Sequence, residues 1–136
     1  WLAQQGFETT GLDRDPAAVA ELEARARQDG LPLVARAVDL ETGAVVIGEA
    51  LYDVVVVVHY LHRALFPALI AALAPGGVLV YETFTVAQAA RGRPTNPAFL
   101  LEPGELPRLV APLEIRAARE GDFDGRMVSS VVARRT

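Results

Sequence analysis

Two aspartates follow strand-like segments, at points where a carboxylate can hold a ligand. Asp13 follows a strand predicted at residues 7–12, and Asp39, with Leu40 after it, follows a second strand predicted at residues 33–38. In an open α/β sheet, ligands bind beyond the carboxyl ends of the strands. Asp13 can accept hydrogen bonds from both hydroxyls of a vicinal diol such as ribose, and Asp39 with the Leu40 N–H can read the edge of an adenine ring. Each aspartate can instead be a solvated turn residue.

The two histidines of the chain lie three residues apart, after a valine-rich strand predicted at residues 52–58. His59, Tyr60 and His62 therefore emerge at the mouth of the predicted sheet. An imidazole titrates near neutral pH, so either histidine can act as a general base or orient a substrate. The same spacing occurs in pairs of metal ligands, but without cysteine or a third ligand nearby a zinc site is a poor explanation. A polar strand end that begins a helix is the simpler alternative, and it stays open.

Further polar side chains lie on and after the next predicted strand. Tyr81 and Glu82 stand on this strand, where side chains alternate between faces, so one of the two is expected in the core. Arg91 and Arg93 lie in a long polar connection over residues 86–102, a length typical of a functional lid or of a disordered segment. The two arginines can clamp an anionic substrate. Solvated loop arginines are the commoner case.

An α/β sheet is the element that would position these residues. Strand-like and helix-like segments alternate through the first two thirds of the chain, which predicts helices on both faces of a mostly parallel sheet. Asp15 and Pro16 are typical of a helix start. Five consecutive valines, Val54–Val58, cannot alternate in and out, so their strand is expected to be buried on both faces. The remaining predicted elements are a helix at 63–74, a turn at Pro75-Gly76-Gly77, a strand at 78–84, a helix at 104–110, and strands at 113–118 and 127–133 joined by a turn over 120–125.

The composition indicates a folded, core-rich protein. The chain has 136 residues, of which 51% are hydrophobic and 22% charged, with a net charge of −4. We expect a single domain over residues 1–136. The negative charge disfavours nucleic acid as a partner, and the longest apolar run is far shorter than the roughly 20 residues that span a bilayer. The chain contains no cysteine, which excludes disulfides and thiolate chemistry and is compatible with the cytoplasm.

The order and spacing of these features resemble the class I S-adenosylmethionine-dependent methyltransferases. Asp13, Asp39 with Leu40, the valine-rich strand and the Pro75-Gly76-Gly77 sequence follow one another as in that family, and the resemblance covers essentially the whole chain. Shorter motifs are similar to a bacterial subgroup often labelled tellurite-resistance-type or generic methyltransferase-domain proteins. These motifs are Tyr60-Leu61-His62-Arg63, Tyr81-Glu82-Thr83-Phe84, Gly92-Arg93-Pro94-Thr95-Asn96-Pro97, Leu100-Leu101 and Gly104-Glu105-Leu106.

The resemblance implies a seven-stranded sheet of order 3-2-1-4-5-7-6 in which only the seventh strand is antiparallel. It implies that Asp13, with its neighbour Arg14, holds the ribose of S-adenosylmethionine, that Asp39 and Leu40 hold the adenine, and that His59 lies near the methionine end. The candidate bases are His59 and His62. The candidate contacts for a methyl acceptor are Tyr60, Glu82, Arg91 and Arg93.

One departure from the family is large. The family's Asp-x-x-x-Gly-x-Gly loop has no counterpart here, because Trp1 falls in the helix that follows this loop. We therefore expect the chain to lack the first strand and the glycine loop, and by itself to fold unstably and bind the cofactor weakly. The expected function is methyl transfer to an unidentified small-molecule acceptor without a metal. The alternative is a non-catalytic adenosine-nucleotide-binding module or a degenerate methyltransferase subunit. A nicotinamide-dependent dehydrogenase is disfavoured by the Pro75-Gly76-Gly77 turn.

Overall fold

The strand–helix alternation predicted from the sequence is present in the computed structural model, which describes residues 1–42 and 47–136. The α/β class is therefore confirmed. The chain divides into two units, Trp1–Val45 and Val46–Thr136.

The first unit contains a strand–helix–strand crossover. After a 3-10 turn at Ala3–Gln5, its elements are β1 (Thr9–Asp13), α1 (Pro16–Gln28) and β2 (Leu33–Ala37). β1 and β2 run parallel. Asp15 begins α1 as predicted, because its carboxylate accepts a hydrogen bond from Ala17 N at 2.9 Å. The helix buries Val19 and Ala26. Because the two strands are parallel, their carboxyl ends lie at the same edge of the pair.

The second unit contains a mixed four-stranded sheet. Its regular elements are β3 (Tyr52–Val58), α2 (Phe66–Ala72), β4 (Leu73–Phe84), α3 (Glu105–Leu109), β5 (Glu114–Phe123) and β6 (Arg126–Arg134), with 3-10 turns at Arg63–Leu65, Val86–Ala90 and Pro97–Phe99. The strand order is β3-β4-β6-β5. β3 is parallel to β4, whereas β6 is antiparallel to both of its neighbours.

The core of the second unit lies on one face of this sheet. From Gly77 to Phe84, residues of β4 alternate between buried and half-buried, so that Leu79, Tyr81 and Thr83 share the buried face. Phe66 of α2 stacks on the Tyr81 ring with 4.9 Å between the ring centroids, and Leu106 of α3 is fully buried. Burial of an apolar side chain of this size contributes roughly 1.5–3 kcal/mol. This face therefore supplies most of the packing free energy of the unit.

The prediction that the valine strand is buried on both faces is wrong. Within the part of the chain that the structure describes, β3 pairs with β4 alone and is an edge strand. Val54, Val56 and Val58 share one face and are 40%, 45% and 54% exposed, while Val55 and Val57 are half-buried. A run of valines reflects hydrophobicity and β-propensity. Neither property fixes how many layers pack against a strand.

The predicted turn at Pro75-Gly76-Gly77 is also wrong, because these three residues lie inside β4. Gly76 N donates to Arg135 O at 2.9 Å, and Arg135 N donates to Gly77 O at 2.8 Å. A Cβ atom added to Gly77 would stand 2.9 Å from Tyr52 O. The glycines therefore allow neighbouring backbones to approach closely within the sheet, which is the other common reason for glycine in a strand.

The predicted C-terminal strand pair is confirmed, and it is longer than predicted. β5 and β6 are joined by Asp124-Gly125 alone, so the predicted turn over 120–125 is mostly strand. Both turn residues have positive φ angles, 54° at Asp124 and 78° at Gly125. Two central residues with positive φ define the turn that suits the twist of a hairpin, and Asp-Gly is a favoured sequence for it.

Candidate functional site

Asp13 and Asp39 lie at the same edge of the first unit. Asp13 is the last residue of β1, and its register partner is Ala37, the last residue of β2. Val38 N then donates to Asp13 O at 2.8 Å, which continues the strand pairing by one residue. Asp39 follows directly. The structure therefore brings together the two carboxylates that the sequence placed after separate strands.

Each of these carboxylates has one oxygen engaged in a local turn. Asp13 Oδ1 accepts a hydrogen bond from Asp15 N at 2.9 Å, and Asp39 Oδ1 accepts one from Glu41 N at 3.0 Å. Within residues 1–42 and 47–136, neither Oδ2 atom has a hydrogen-bond donor. Both side chains are exposed. Each aspartate thus combines the predicted turn role with one carboxylate oxygen that can accept from a ligand.

The neighbours of the two aspartates add polar groups at this edge. Arg14 lies in the bend between β1 and α1 and is exposed. Leu40 is half-buried, and its N–H has no acceptor among the residues that the structure describes. Asp13 also borders a cavity of about 150 Å³, whose other lining residues are Gly11, Leu12, Ala18, Val19, Leu22 and Ala35. Pockets for drug-sized ligands are typically about 300 Å³ or larger, so this cavity can take only part of such a ligand.

The turn after β3 forms the candidate site of the second unit. His59 has a φ angle of 54°, which is uncommon for a residue other than glycine. Its N–H donates to Glu82 O at 2.8 Å. Its imidazole stacks on the Phe84 ring with 4.6 Å between the ring centroids. Tyr60 O accepts a hydrogen bond from the Tyr81 hydroxyl at 2.6 Å.

The alternation predicted for Tyr81 and Glu82 is confirmed. Tyr81 is 1% exposed, and its burial raises the pKa of the hydroxyl, with a smaller contribution from Tyr60. Glu82 lies on the other face, where its Oε2 is 3.1 Å from Arg119 Nη2. Arg119 Nε in turn donates to Ser130 Oγ at 3.0 Å. Glu82 is therefore already paired with a cation, which the sequence did not indicate.

The connection over residues 86–102, predicted to be a lid or disordered, is folded. Thr85 and Leu101 form a parallel β-bridge at its base. Gln88 is 7% exposed, and its amide joins two chain segments: Nε2 donates to Arg93 O at 3.2 Å, and Oε1 accepts from Met127 N at 2.8 Å. We call residues 85–101, which this bridge closes, the 85–101 loop. A buried glutamine, bonded through both its amide nitrogen and its amide oxygen, holds it to β6.

The two loop arginines differ in their surroundings. Arg91 forms an ion pair with Asp122 at the end of β5, and both side chains are almost half exposed. Arg93 is exposed, and its guanidinium has no hydrogen-bond or ion-pair partner in residues 1–42 and 47–136. His62, at the start of the 3-10 turn after β3, is half-buried and likewise lacks a side-chain partner among the described residues.

A second connection to this region was missed by the sequence analysis. Arg63 Nε donates to Glu105 Oε1 at 2.6 Å, and Arg63 Nη2 donates to Glu105 Oε2 at 2.9 Å. The same guanidinium also donates to Ala98 O at 3.2 Å and to Leu100 O at 3.0 Å. The hydrogen bond with Glu105 raises the pKa of Arg63, and the same bond lowers the pKa of Glu105. Arg63 thus fastens the end of the 85–101 loop to the turn after β3.

Residues 1–42 and 47–136 contain no group of three or more histidine, aspartate or glutamate side chains arranged to hold a metal ion. No helix in this part of the chain is long and apolar enough to cross a membrane.

Comparison with known proteins identifies the fold. No protein-family model and no curated protein matches the chain. Among solved structures, TehB from Haemophilus influenzae matches with a TM-score of 0.81 at 16% identity, covering 99% of this chain and 52% of TehB. The [4+2]-cyclase SpnF matches with a TM-score of 0.77 at 16% identity, covering 98% of this chain and 68% of SpnF. A SAM-dependent methyltransferase from Methanosarcina mazei matches with a TM-score of 0.73 at 16% identity, covering 98% of this chain and 84% of that protein.

These similarities define the class of fold. The chain has the α/β fold of structures that include a SAM-dependent methyltransferase, and it spans about half the length of TehB. The same fold also carries a cyclase. Because unrelated reactions recur on one fold, the fold alone does not identify the reaction of this chain.

Proposed function

We propose that this chain transfers a methyl group from S-adenosylmethionine to a small-molecule acceptor. The observation that carries the proposal is the pair of aspartates at neighbouring ends of β1 and β2, each with one carboxylate oxygen lacking a donor among the described residues. The proposal is supported by the fold, which a SAM-dependent methyltransferase shares.

The groups at this edge fit the adenosine half of the cofactor. Two ribose hydroxyls and the exocyclic amine of adenine are donors, and a ring nitrogen is an acceptor. Asp13 supplies the acceptor for the ribose, Asp39 supplies the acceptor for the amine, and the Leu40 N–H supplies the donor. Arg14, exposed beside Asp13, flanks the ribose.

In this reaction the chain mainly has to align the methyl donor with the acceptor. When bound, S-adenosylmethionine would supply a methyl group on a sulfonium sulfur, whose carbon an acceptor can attack in line while the neutral thioether leaves without needing an acid. The residues of the chain then have to hold donor and acceptor in register and exclude water. A base is needed only where the acceptor loses a proton, and His59 or His62 would take that proton.

We place the acceptor among Tyr60, Glu82, Arg91 and Arg93. Of these, Glu82 and Arg91 already have charged partners, so a ligand would have to compete for them. Arg93 has no such partner among the described residues and is the cation best able to hold an anionic acceptor.

On the strength of its short motifs, we assign the protein to the bacterial tellurite-resistance-type subgroup. Its cysteine-free sequence is compatible with a cytoplasmic location.

The test is calorimetric titration with S-adenosylmethionine. We choose Asp13→Asn because asparagine keeps an acceptor for Asp15 N while the charge is lost. A hydrogen bond to a charged group contributes about 1.5–3 kcal/mol, so the dissociation constant should rise roughly 10- to 150-fold. The matched control is Asp15→Ala, two residues away, which should lower the melting temperature through the lost helix cap and leave the affinity unchanged. Equal affinities for wild type and Asp13→Asn would remove Asp13 from the site.

The rival function is a non-catalytic adenosine-nucleotide-binding module. It rests on the same carboxylates, so the Asp13 variant does not separate it from an enzyme. Product analysis does separate the two. An enzyme releases S-adenosylhomocysteine together with a methylated acceptor, whereas a binding module retains S-adenosylmethionine without turnover.

A further inference from the structure

The turn after β3 is held in an unfavourable backbone conformation. His59 has a φ angle of 54°, and a non-glycine residue in this region costs of order 1–3 kcal/mol. Such a conformation persists only where its surroundings enforce it, and it is common at functional sites. Three contacts that hold this turn come from β4.

Residues of β4 contact this turn from both faces of the sheet. From the buried face, the Tyr81 hydroxyl donates to Tyr60 O at 2.6 Å. From the other face, the Phe84 ring stacks on the His59 imidazole at 4.6 Å. Between them, the Glu82 carbonyl accepts the His59 N–H at 2.8 Å. Residues 81 and 84 point to opposite faces because side chains alternate along a strand.

The hydrogen bond from the Tyr81 hydroxyl to Tyr60 O is held by the packing around Tyr81. Its ring is fixed by stacking on Phe66 at 4.9 Å between centroids, and the residue is 1% exposed. If Tyr60 O moved away, a buried hydroxyl would lose its acceptor, which is unfavourable. The position of the Tyr60 carbonyl, and of His59 one residue before it, therefore follows from the packing of Tyr81.

The His59 side chain remains available to a ligand. The residue is exposed, and its ring nitrogens have no hydrogen-bond partner in residues 1–42 and 47–136. One face of the imidazole lies against Phe84. The stacking therefore orients the imidazole and leaves its ring nitrogens able to form hydrogen bonds with a ligand.

We propose that Tyr81 and Phe84 are positioning residues that fix the orientation of the His59 imidazole at the carboxyl end of β3. Neither residue has to touch the substrate or the cofactor. Tyr81 acts through the Tyr60 carbonyl, and Phe84 acts through the imidazole ring. The catalytic consequence rests on the proposed methyltransferase function, whereas the positioning itself can be measured without any ligand.

The two histidines of the chain make the measurement direct. Proton NMR of the imidazole C–H groups gives signals from His59 and His62 alone, and a His62→Gln variant assigns them. Phe84→Leu should move the His59 signals downfield, because the ring current of the stacked Phe84 is lost. Tyr81→Phe should move the His59 signals as well, because the turn is released. The matched control is Tyr52→Phe, which removes a hydroxyl whose bond to Ile47 O is 3.5 Å long and which lies at the opposite end of β3.

Titration with S-adenosylmethionine supplies the functional readout. We expect the cofactor to shift the His59 signals of the wild type. In Tyr81→Phe we expect a dissociation constant raised roughly 2- to 10-fold, because a released imidazole would lose up to one hydrogen bond to the ligand. Tyr52→Phe should match the wild type in both respects.

Three results distinguish positioning of His59 by Tyr81 and Phe84 from the alternatives. Displaced His59 signals in Tyr81→Phe and Phe84→Leu, with wild-type signals in Tyr52→Phe, support positioning. A lower melting temperature in Tyr81→Phe with His59 signals unmoved would show that Tyr81 only stabilises the fold, and would overturn the proposal. If millimolar S-adenosylmethionine, enough to detect the weak binding expected of this chain, leaves the wild-type signals unchanged, the proposed function fails. The ligand-free spectra still decide whether β4 positions His59.

Discussion

Arg63 and Glu105 lie 42 residues apart in the chain and hold the 85–101 loop to the turn after β3. We expect Arg63→Gln to lower the free energy of unfolding more than a single substitution at any other ion pair in residues 1–42 and 47–136. The substitution removes the paired hydrogen bonds to the Glu105 carboxylate and the two bonds to the carbonyls of Ala98 and Leu100. It also leaves the Glu105 carboxylate without its cation.

The magnitude follows from the burial of the pair. A hydrogen bond to a charged group contributes about 1.5–3 kcal/mol, whereas an exposed ion pair contributes about 0.2–1 kcal/mol. The Glu105 side chain is 14% exposed and that of Arg63 is 39% exposed, so solvent screens part of the interaction. We therefore expect a coupling free energy of about 1–1.5 kcal/mol between the two side chains. With the carbonyl bonds included, Arg63→Gln should cost about 2–3 kcal/mol, a drop in Tm of roughly 6–12 °C for a chain of this size.

The assay is a double-mutant cycle at neutral pH. Urea unfolding of the wild type, Arg63→Gln, Glu105→Gln and the double variant gives the coupling free energy directly. The matched control is the same cycle on Arg91 and Asp122, whose side chains are 46% and 45% exposed. Its coupling should be about 0.5 kcal/mol or less. A coupling between Arg63 and Glu105 no larger than that of the control would refute the reasoning from burial.

Three further predictions follow from the same structure. Arg63 lowers the pKa of Glu105, so the stabilisation by Glu105 is complete above the ordinary glutamate value of about 4.3 and is lost as pH falls through the lower folded value. The difference in melting temperature between wild type and Glu105→Gln should therefore shrink in acid, and a constant difference from pH 7 to 3 would contradict this. Gln88→Leu leaves Met127 N and Arg93 O without partners, which should cost about 2–3 kcal/mol and speed tryptic cleavage after Arg91; unchanged digestion would argue against the glutamine as the anchor. Gly77→Ala should lower the unfolding free energy by about 2–3 kcal/mol, because the new methyl group meets backbone oxygens at 2.9 Å that cannot rotate away; a melting curve like that of the wild type would show that the sheet adjusts.

Local signals in the sequence predicted the parts of the fold that depend on local chemistry. Asp15 caps α1, and Asp124-Gly125 makes the hairpin turn, because each residue acts within a few positions of itself. The strand-end position of Asp13 was predicted for a similar reason. Its link to the end of β2 through Val38 required only that the two strands be parallel neighbours.

The features that the sequence did not predict are set by partners far along the chain. Arg63 and Glu105 are separated by 42 residues, and Gln88 contacts a backbone group 39 residues away. Nothing in the residue types marks such pairs before the fold brings them together. The Pro75-Gly76-Gly77 error has the same origin, because glycine serves tight turns and close backbone approach equally well.

The exposed valines of β3 have a consequence for how the protein behaves at high concentration. Val54–Val58 is a five-residue run of high β-propensity that contains neither charge nor proline, and among the described residues it lies on a strand paired along one side only. Such runs promote intermolecular strand pairing unless flanking charges oppose it. Asp53 is exposed immediately before the run, and we expect its negative charge to oppose strand pairing with a second copy. Light scattering of Asp53→Ala should therefore rise with concentration more steeply than that of the wild type.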